Sequence, residues 1–326
     1  MFVLRLILIA WCFIPLAHGT DPVRVGVLKF GTVNWELDSL KHFALDRAHG
    51  VSVEVVALAS KNATAVALQG GAADIIVTDW IWVSRQRSAG RRYRFFPYSL
   101  AVGSVMVRPA AGIDHIGDLA GRRLGVAGGP VDKSWLTLRA LGVQELGYDL
   151  ADKVQVSFVA PPLLNQLLLR GELDAGLNFW HYSARLKAAG MRRLIAVPRM
   201  LSKLGVERPV PLLGWVFDED WARQNAAALS GFLTASYAAK RRLDEDDTAW
   251  IRLQSRMKVA DDAARDALRD AYRAGIPRTF GEDEVAAAKK TFAVLAEFGG
   301  AKLTGAATAL DEGTFWRDFE LPVWPR

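Results

Sequence analysis

The chain has 326 residues, of which 51% are hydrophobic and 23% charged, with a formal net charge of +6 at pH 7. This length exceeds the usual size of one hydrophobic core, so two lobes are expected, and the composition excludes a disordered or low-complexity protein. The positive charge is spread along the chain, which favours a solvated surface over a nucleic-acid interface. No nucleic-acid partner is therefore predicted.

The first residues have the pattern of a secretory signal peptide. Arg5 precedes an apolar run, and small residues follow at Ala17 and Gly19. We therefore expect residues 1–19 to be cleaved near Gly19 and the protein to be exported to the periplasm, with an uncleaved membrane anchor as the alternative. Cleavage would remove Cys12, the single cysteine of the chain, and with it any thiol or disulfide chemistry.

The apolar pattern of the first third predicts alternating strands and helices. A buried strand begins at Val23, a helix ends at Gly50, and a second strand begins at Val51. A third strand, residues 74–78, leads into a helix at residues 81–89. This order is typical of a parallel sheet covered by helices.

The middle of the chain predicts a second unit of the same kind. The stretch IDHIGDLAGRRLGVAGG, residues 113–129, predicts a short helix, a turn at Gly121 and a strand. Asp132 is expected to cap the helix that follows. Residues 198–211, with three prolines, are predicted to form a loop, and mostly helical sequence follows Asp218.

Two segments repeat one pattern at an offset of 100 residues. They are GGAADIIVTDW, residues 70–80, and RGELDAGLNFW, residues 170–180. Each places Gly-x-x-Asp between a predicted helix and a predicted strand, which indicates two similar α/β lobes. Asp74 and Asp174 are expected to brace this turn rather than to bind a ligand. Ligands of such lobes bind beyond the carboxyl ends of the parallel strands.

The chain is expected to cross between the lobes twice, near residues 99–107 and near residues 209–217. Two crossings predict a hinge that closes the lobes around a ligand, with two rigid lobes as the alternative. We assign residues 20–101 and 215–326 to lobe 1. Residues 102–214 form lobe 2, with the hinge segments at its ends.

The order of five segments resembles a known family. They are VRVGVLKFGTVNWEL, LQGGAADIIVTDW, MVRPAAGIDHIGDLAGRRLGVAGG, LRGELDAGLNFW and GWVFDEDWARQNAAALSGFLTASY. They are similar to the periplasmic substrate-binding proteins of the nitrate/sulfonate/taurine ABC transporters, the NMT1/THI5-like family. The resemblance covers nearly the whole mature chain. It implies a two-lobed type II periplasmic-binding-protein fold of class α/β, with mixed sheets flanked by helices.

The same resemblance implies a non-enzymatic, monomeric receptor. It would deliver a small polar or anionic organic ligand to an ABC permease in the inner membrane, without a cofactor. The strings FGTVNWELD and TDWIWVSRQR also resemble members found beside quinoprotein alcohol dehydrogenases, so an accessory role there is an alternative. Some fungal relatives synthesise the thiamine pyrimidine through a cysteine-rich motif. The absence of cysteine after residue 12 disfavours that enzyme.

Three loops at predicted strand ends, together with the strand-end aromatics, supply candidate ligand-binding residues. Their hydroxyl, amide, lysine and indole groups provide hydrogen bonds, charge and stacking faces, and the helix starts favour an anion. The candidates are Thr32, Asn34, Trp35, Ser60, Asn62, Asp79, Trp80, Lys133, Ser134, Trp135, Phe179 and Trp180. As alternatives, Thr32, Ser60 and Asn62 cap helices. Trp80 and Trp180 alternatively each seal the core of one lobe.

Neither catalytic residues nor a metal site is predicted. The five histidines show no metal-ligand spacing and no pairing with a nucleophile motif. A metal ion held by cleft carboxylates is the alternative. These carboxylates are Glu36, Asp38, Asp79 and Asp132.

Overall fold

The structure, a computed structural model, describes residues 21–259 and 261–324. The predicted signal peptide and Cys12 lie outside the described residues. The strands are β1 (Val23–Leu28), β2 (Val53–Leu58), β3 (Ile75–Asp79), β4 (Tyr93–Ser99), β5 (Ser104–Val107), β6 (Arg123–Val126), β7 (Gln155–Phe158), β8 (Ala175–Asn178), β9 (Arg192–Ala196) and β10 (Leu213–Asp218). The helices that connect them are α1 (Val33–His42), α2 (Leu45–Ala48), α3 (Lys61–Gln69), α4 (Trp80–Ser88), α5 (Lys133–Leu146), α6 (Pro161–Arg170), α7 (Trp180–Ala188) and α8 (Val197–Lys203). The C-terminal helices are α9 (Glu219–Gln224), α10 (Ala226–Glu245), α11 (Asp247–Met257), α12 (Asp262–Ala274) and α13 (Glu282–Thr304).

The strands form two mixed sheets, which confirms the predicted α/β class. The first sheet has the order β2-β1-β3-β10-β4, and the second has the order β7-β6-β8-β5-β9. In each sheet four strands run in the same direction, and one strand is antiparallel to both of its neighbours, β10 in the first sheet and β5 in the second. We call each sheet with its connecting helices the first lobe and the second lobe. β10 returns to the first sheet after the second lobe, so the chain crosses twice.

The repeated Gly-x-x-Asp pattern is the same structural brace in both lobes. Asp74 accepts hydrogen bonds from the backbone N–H and the guanidinium of Arg24, which also donates to the carbonyl of Gly71. In the second lobe Asp174 and Gly171 accept the same bonds from Arg123. Both glycines have positive φ, 71° and 77°, a conformation that favours glycine. The repeat therefore encodes the join between a helix and the next strand, as expected for Asp74 and Asp174.

Two local predictions differ from the structure. Residues 198–211 were expected to form a loop, but helix α8 begins at Val197 and places Pro198 in its first turn, where proline is tolerated. The helix predicted to run to Gly50 is interrupted at Ala44, which has a left-handed φ of 51°. Pro198 is thus compatible with a helix start, and the left-handed Ala44 divides the predicted helix into α1 and α2.

The C-terminal helices contact both lobes. Helix α12 packs against α7 of the second lobe, and α13 packs against both α4 of the first lobe and α5 of the second. Arg185 of α7 donates a hydrogen bond of 2.5 Å to the carbonyl of Met257 at the end of α11. None of the helices that the structure describes is both long and apolar enough to span a membrane.

A buried ion pair ties α1 to α10. The Glu36 carboxylate accepts hydrogen bonds from the Lys240 ammonium, the Ser236 hydroxyl and the Tyr272 hydroxyl. Glu36 and Lys240 are 0% and 1% exposed. Such a pair is costly to break because each charge would then be buried alone. Glu36 therefore stabilises the core instead of lining a cleft, contrary to its place among the candidate metal-binding carboxylates.

Candidate ligand-binding site

A cavity of about 300 Å³ lies between the two lobes. This volume is at the lower end of the range for small-molecule sites. The first lobe contributes Val27, Leu28, Gly31, Thr32, Val33, Lys61, Thr64, Val77, Thr78 and Asp79. The second lobe contributes Asp132, Lys133, Ser134, Phe179, Trp180 and His181. The crossing segments contribute Ala101, Val102, Gly103 and Leu212, and Leu213 begins β10 beside them.

The charged centre of the cavity is one carboxylate shared by two lysines. Oδ2 of Asp79 lies 2.7 Å from Nζ of Lys61 and 2.9 Å from Nζ of Lys133. Its Oδ1 accepts a hydrogen bond of 2.9 Å from the backbone N–H of Trp82, which caps helix α4. The side chain of Asp79 is only 5% exposed. Because Lys61 belongs to the first lobe and Lys133 to the second, this carboxylate links the lobes.

The ion pairs keep the carboxylate and Lys133 charged. Burial by itself would raise the pKa of Asp79, but the positive charges of Lys133 and Lys61 hold it well below its usual range. Burial would lower the pKa of Lys133, yet the attraction of Asp79 raises it overall. The cavity therefore contains permanent charges at neutral pH.

Both lysines are the first residues of helices that follow parallel strands. Lys61 starts α3 after β2, with Ser60 as the capping residue, and Lys133 starts α5 after β6, with Asp132 as the capping residue. Because the helix dipole and free N–H groups make such helix starts electropositive, they favour anions. The equivalent positions of the two lysines explain why their ammonium groups meet at one point between the lobes.

Aromatic groups form part of the second-lobe wall. Phe179 and Trp180 lie at the start of α7, and the ring of Trp180 packs edge-on against Trp35 of the first lobe at a centroid distance of 5.8 Å. Burial lowers the pKa of the neighbouring His181 to about 3, so this imidazole is neutral at pH 7. Its Nδ1 is buried without a hydrogen-bond partner among the residues that the structure describes. The wall thus offers an apolar face and one uncharged polar group.

Six of the twelve candidate residues line the cavity. They are Thr32, Asp79, Lys133, Ser134, Phe179 and Trp180. Thr32 occupies the N-cap position of α1, but its side chain accepts no capping hydrogen bond, so the capping alternative has no support here. The role of these six residues in binding a ligand stays a prediction.

The other polar candidates have local roles. Asn34 donates to the carbonyls of Leu28 and Gly31 and so holds the loop before α1. The Ser60 hydroxyl accepts from the N–H of Ala63, which is the capping role considered as its alternative. Asn62 is exposed to solvent. Asn34, Ser60 and Asn62 do not line the cavity.

The remaining tryptophan candidates lie in hydrophobic cores, away from the cavity wall. Trp80 is 0% exposed and packs near Phe315, with a ring-centroid distance of 6.4 Å. Trp135 and Trp35 are 2% and 4% exposed. Trp35 and Trp80 were expected to line the cleft. In the structure they do not, because each indole is enclosed by other helices and C-terminal residues.

Sequence reasoning did not select Lys61 or His181 as ligand-binding residues. Lys61 could have been found from its position, since Ser60-Lys61 matches Asp132-Lys133 as a capping residue followed by lysine after a parallel strand. His181 carries no such signal. Its place beside Trp180 becomes relevant only because α7 begins at the cavity.

The carboxylates considered for a metal ion do not converge. Asp38 forms ion pairs with Arg252 and Arg256, whereas Asp79 pairs with two lysines. The Asp132 carboxylate accepts from backbone N–H groups at the start of α5. Over residues 21–259 and 261–324 there is no group of three or more His, Cys, Asp or Glu side chains suited to a metal ion.

Comparison with known proteins identifies relatives of this fold. A family model described as NMT1/THI5 like matches residues 47–242. The periplasmic aliphatic sulphonate binding protein SsuA from Escherichia coli is 16% identical, with a TM-score of 0.69 over 94% of this chain and 95% of that one. The alkanesulfonate-binding protein SsuA from Xanthomonas axonopodis pv. citri, solved with bound MOPS, is 15% identical, with a TM-score of 0.68 over 91% and 98%.

An enzyme shares the fold as well. The desulfurization enzyme DSZB is 16% identical, with a TM-score of 0.60 over 89% of this chain and 96% of that one. No match was found among curated proteins. At these identities the structural likeness establishes the two-lobed fold, which is shared by sulfonate-binding proteins and by an enzyme.

Proposed function

This chain belongs to the NMT1/THI5-like family, and on that premise we propose that it is a periplasmic solute-binding receptor of an ABC importer. Its ligand is a small organic molecule with an anionic or strongly polar group, held between the lobes and passed to a permease in the inner membrane. The proposal rests on one observation: Lys61 and Lys133 both form ion pairs with Asp79 in the cavity between the lobes.

The groups around the cavity support this ligand chemistry. Each lysine ammonium has three N–H donors and uses one of them in a hydrogen bond to Asp79. Both lysines can therefore also donate to a ligand. The same cavity is also lined by Phe179, Trp180 and aliphatic side chains. A molecule with a charged end and an apolar body satisfies both parts of the cavity, since burying its apolar body is favourable.

A receptor is favoured over an enzyme by the state of the polar groups. Asp79 is committed to two lysines, and burial lowers the pKa of His181 to about 3, which makes its imidazole a weak general base at pH 7. The chain also has no cysteine after residue 12, so residues 13–326 offer no thiol for catalysis. Because a desulfurization enzyme shares this fold, the experiment must also measure whether a bound compound is chemically converted.

A thermal-shift screen tests the proposal directly. Short alkanesulfonates, carboxylates and uncharged analogues of the same length should be compared, because a ligand at a hundredfold excess over Kd stabilises the protein by about 2.7 kcal/mol. We expect a charged compound with an apolar chain to raise Tm and to be recovered unchanged. Chemical conversion of the compound would indicate an enzyme. Absence of any hit, with co-purification of a dehydrogenase, would indicate the accessory role.

Export is a separate part of the proposal. The pattern of residues 1–19 supports cleavage near Gly19. Mass spectrometry of a periplasmic extract should find a mature N-terminus at Thr20 or Asp21. Intact Met1 in the membrane fraction would show an uncleaved anchor instead.

A further inference from the structure

We propose that Asp79 is a charge-selecting residue, which makes the cavity accept a monoanionic head group and reject a dianionic one. This inference rests on the proposed binding of an organic anion. Nothing in the size of the cavity distinguishes a singly from a doubly charged head group of similar shape. The distinction comes from the charges that face the ligand.

The charges around the cavity can be counted from the contacts. Two ammonium groups, those of Lys61 and Lys133, approach the single Oδ2 atom of Asp79 within 3 Å, at 2.7 Å and 2.9 Å. Two positive charges and one negative charge leave one positive charge. A ligand with one negative charge neutralises this cluster, and a second negative charge would lie beside the Asp79 carboxylate without a further partner.

The other titratable groups of the wall add no positive charge to this cluster. The carboxylate of Asp132 accepts from the N–H groups of Ser134 and Trp135, at 2.9 Å and 3.3 Å, so the start of α5 offsets part of its charge, and burial raises its pKa. His181 is neutral, since burial lowers its pKa to about 3. The ionisable residues that line the cavity are these two together with Lys61, Asp79 and Lys133.

Asp79 is well placed for charge selection because it cannot move away from a ligand. Its Oδ1 atom caps α4 through the N–H of Trp82, and its side chain is 5% exposed. Water screens a buried charge poorly, so repulsion of a nearby second anion is strong. Unfavourable like charges are a recognised means of rejecting the wrong ligand.

A matched pair of probes separates charge from shape. Propanesulfonate carries one negative charge at all working pH values, whereas propylphosphonate carries one below its second ionisation and two above it. Isothermal titration of both probes on each side of that ionisation measures the effect of the second charge. Because the charge of propanesulfonate does not change with pH, any change in its affinity reports titration of the protein itself. The mature protein should lose affinity for propylphosphonate by about tenfold or more when the probe becomes a dianion, with propanesulfonate affinity unchanged.

The variant Asp79→Asn should remove this discrimination. Asparagine is also a good capping residue, so the bond to Trp82 N–H can be kept while the charge is lost. We expect the ratio of the affinity for monoanionic propylphosphonate to the affinity for dianionic propylphosphonate to fall to about one or below. Asp114→Asn makes the same change in net charge at a side chain that is 83% exposed, and it should leave the ratio as in the parent protein.

A second variant keeps the test informative if Asp79→Asn folds poorly. Lys61→Gln lowers the net charge of the cluster to zero at a half-exposed side chain, and it should weaken binding of the monoanionic probes by about tenfold or more. Equal affinity of the parent protein for both charge states of propylphosphonate would overturn charge selection but leave an anion receptor. An Asp79→Asn variant that keeps the affinity ratio of the parent protein would likewise overturn charge selection by Asp79. If neither probe binds the parent protein, both this inference and the proposed ligand class fail.

Discussion

Lys133 and Asp79 join the two lobes across the cavity, with Nζ of Lys133 2.9 Å from Oδ2 of Asp79. Lys61 approaches the same oxygen at 2.7 Å but belongs to the same lobe as Asp79. The two lysines therefore form similar ion pairs with different mechanical consequences, because only the Lys133 pair resists separation of the lobes.

The first prediction uses this difference. Lys133→Gln should open the ligand-free protein, since it removes an attraction between the lobes, and should increase the radius of gyration measured by small-angle X-ray scattering. Lys61→Gln is the matched control and should leave the radius of gyration unchanged. Equal scattering from both variants and the parent protein would show that the C-terminal helices, not the ion pair, hold the lobes together.

The second prediction separates the two tryptophans of the repeat. Trp80 is fully buried, so Trp80→Ala should lower the free energy of unfolding by about 3–5 kcal/mol. Trp180 lines the cavity, so Trp180→Ala should weaken ligand binding by about 1–3 kcal/mol, with a smaller loss of stability. Urea denaturation and titration calorimetry on the same two proteins measure both quantities. A binding defect in folded Trp80→Ala, without one in Trp180→Ala, would reverse the assignment.

The third prediction concerns the buried pair of Glu36 and Lys240. Glu36→Gln should destabilise the protein by about 3–5 kcal/mol because it leaves the Lys240 ammonium buried without a counter-ion. The double variant Glu36→Gln/Lys240→Met should recover part of this loss. Glu245→Gln breaks the exposed pair with Arg241 and should change stability by less than about 1 kcal/mol. Urea midpoints that are equal for Glu36→Gln and Glu245→Gln would contradict a special role of burial.

The fourth prediction concerns stability in acid. Glu219 accepts hydrogen bonds from Arg94 and Arg223, and these bonds together with nearby positive charges lower its pKa from 4.5 to about 2. Because its pKa is lower in the folded chain than in the unfolded chain, Glu219 stabilises the fold above pH 4.5. This contribution is lost as the pH falls from 4.5 to about 2.

The measurement is the urea midpoint as a function of pH. Glu219→Gln should be less stable than the parent at neutral pH, and its midpoint should fall less steeply over this acidic range. Parallel curves for the two proteins would show that other carboxylates account for the acid sensitivity.

Several features of the fold were predictable from local sequence. The capping role of Asp132 and the turn formed by Gly71 and Gly171 depend on a few neighbouring residues, and the structure shows both. The repeat also located the strand ends at which a cavity forms. By contrast, the pattern could not show which way Trp80 and Trp180 face, since both begin a helix directly after a strand.

The sequence by itself determined the alternation of strands and helices, the twofold repeat and the helix starts that carry Lys61 and Lys133, because these depend on periodicity and on interactions within a few residues. Only the tertiary structure decided that both lysines share Asp79, that Trp80 is enclosed while Trp180 lines the cavity, and that Glu36 pairs with a lysine 204 residues away. These relationships depend on how the lobes and the C-terminal helices pack. Burial then fixes the partner of each charge, since a charge removed from water without a partner is strongly disfavoured.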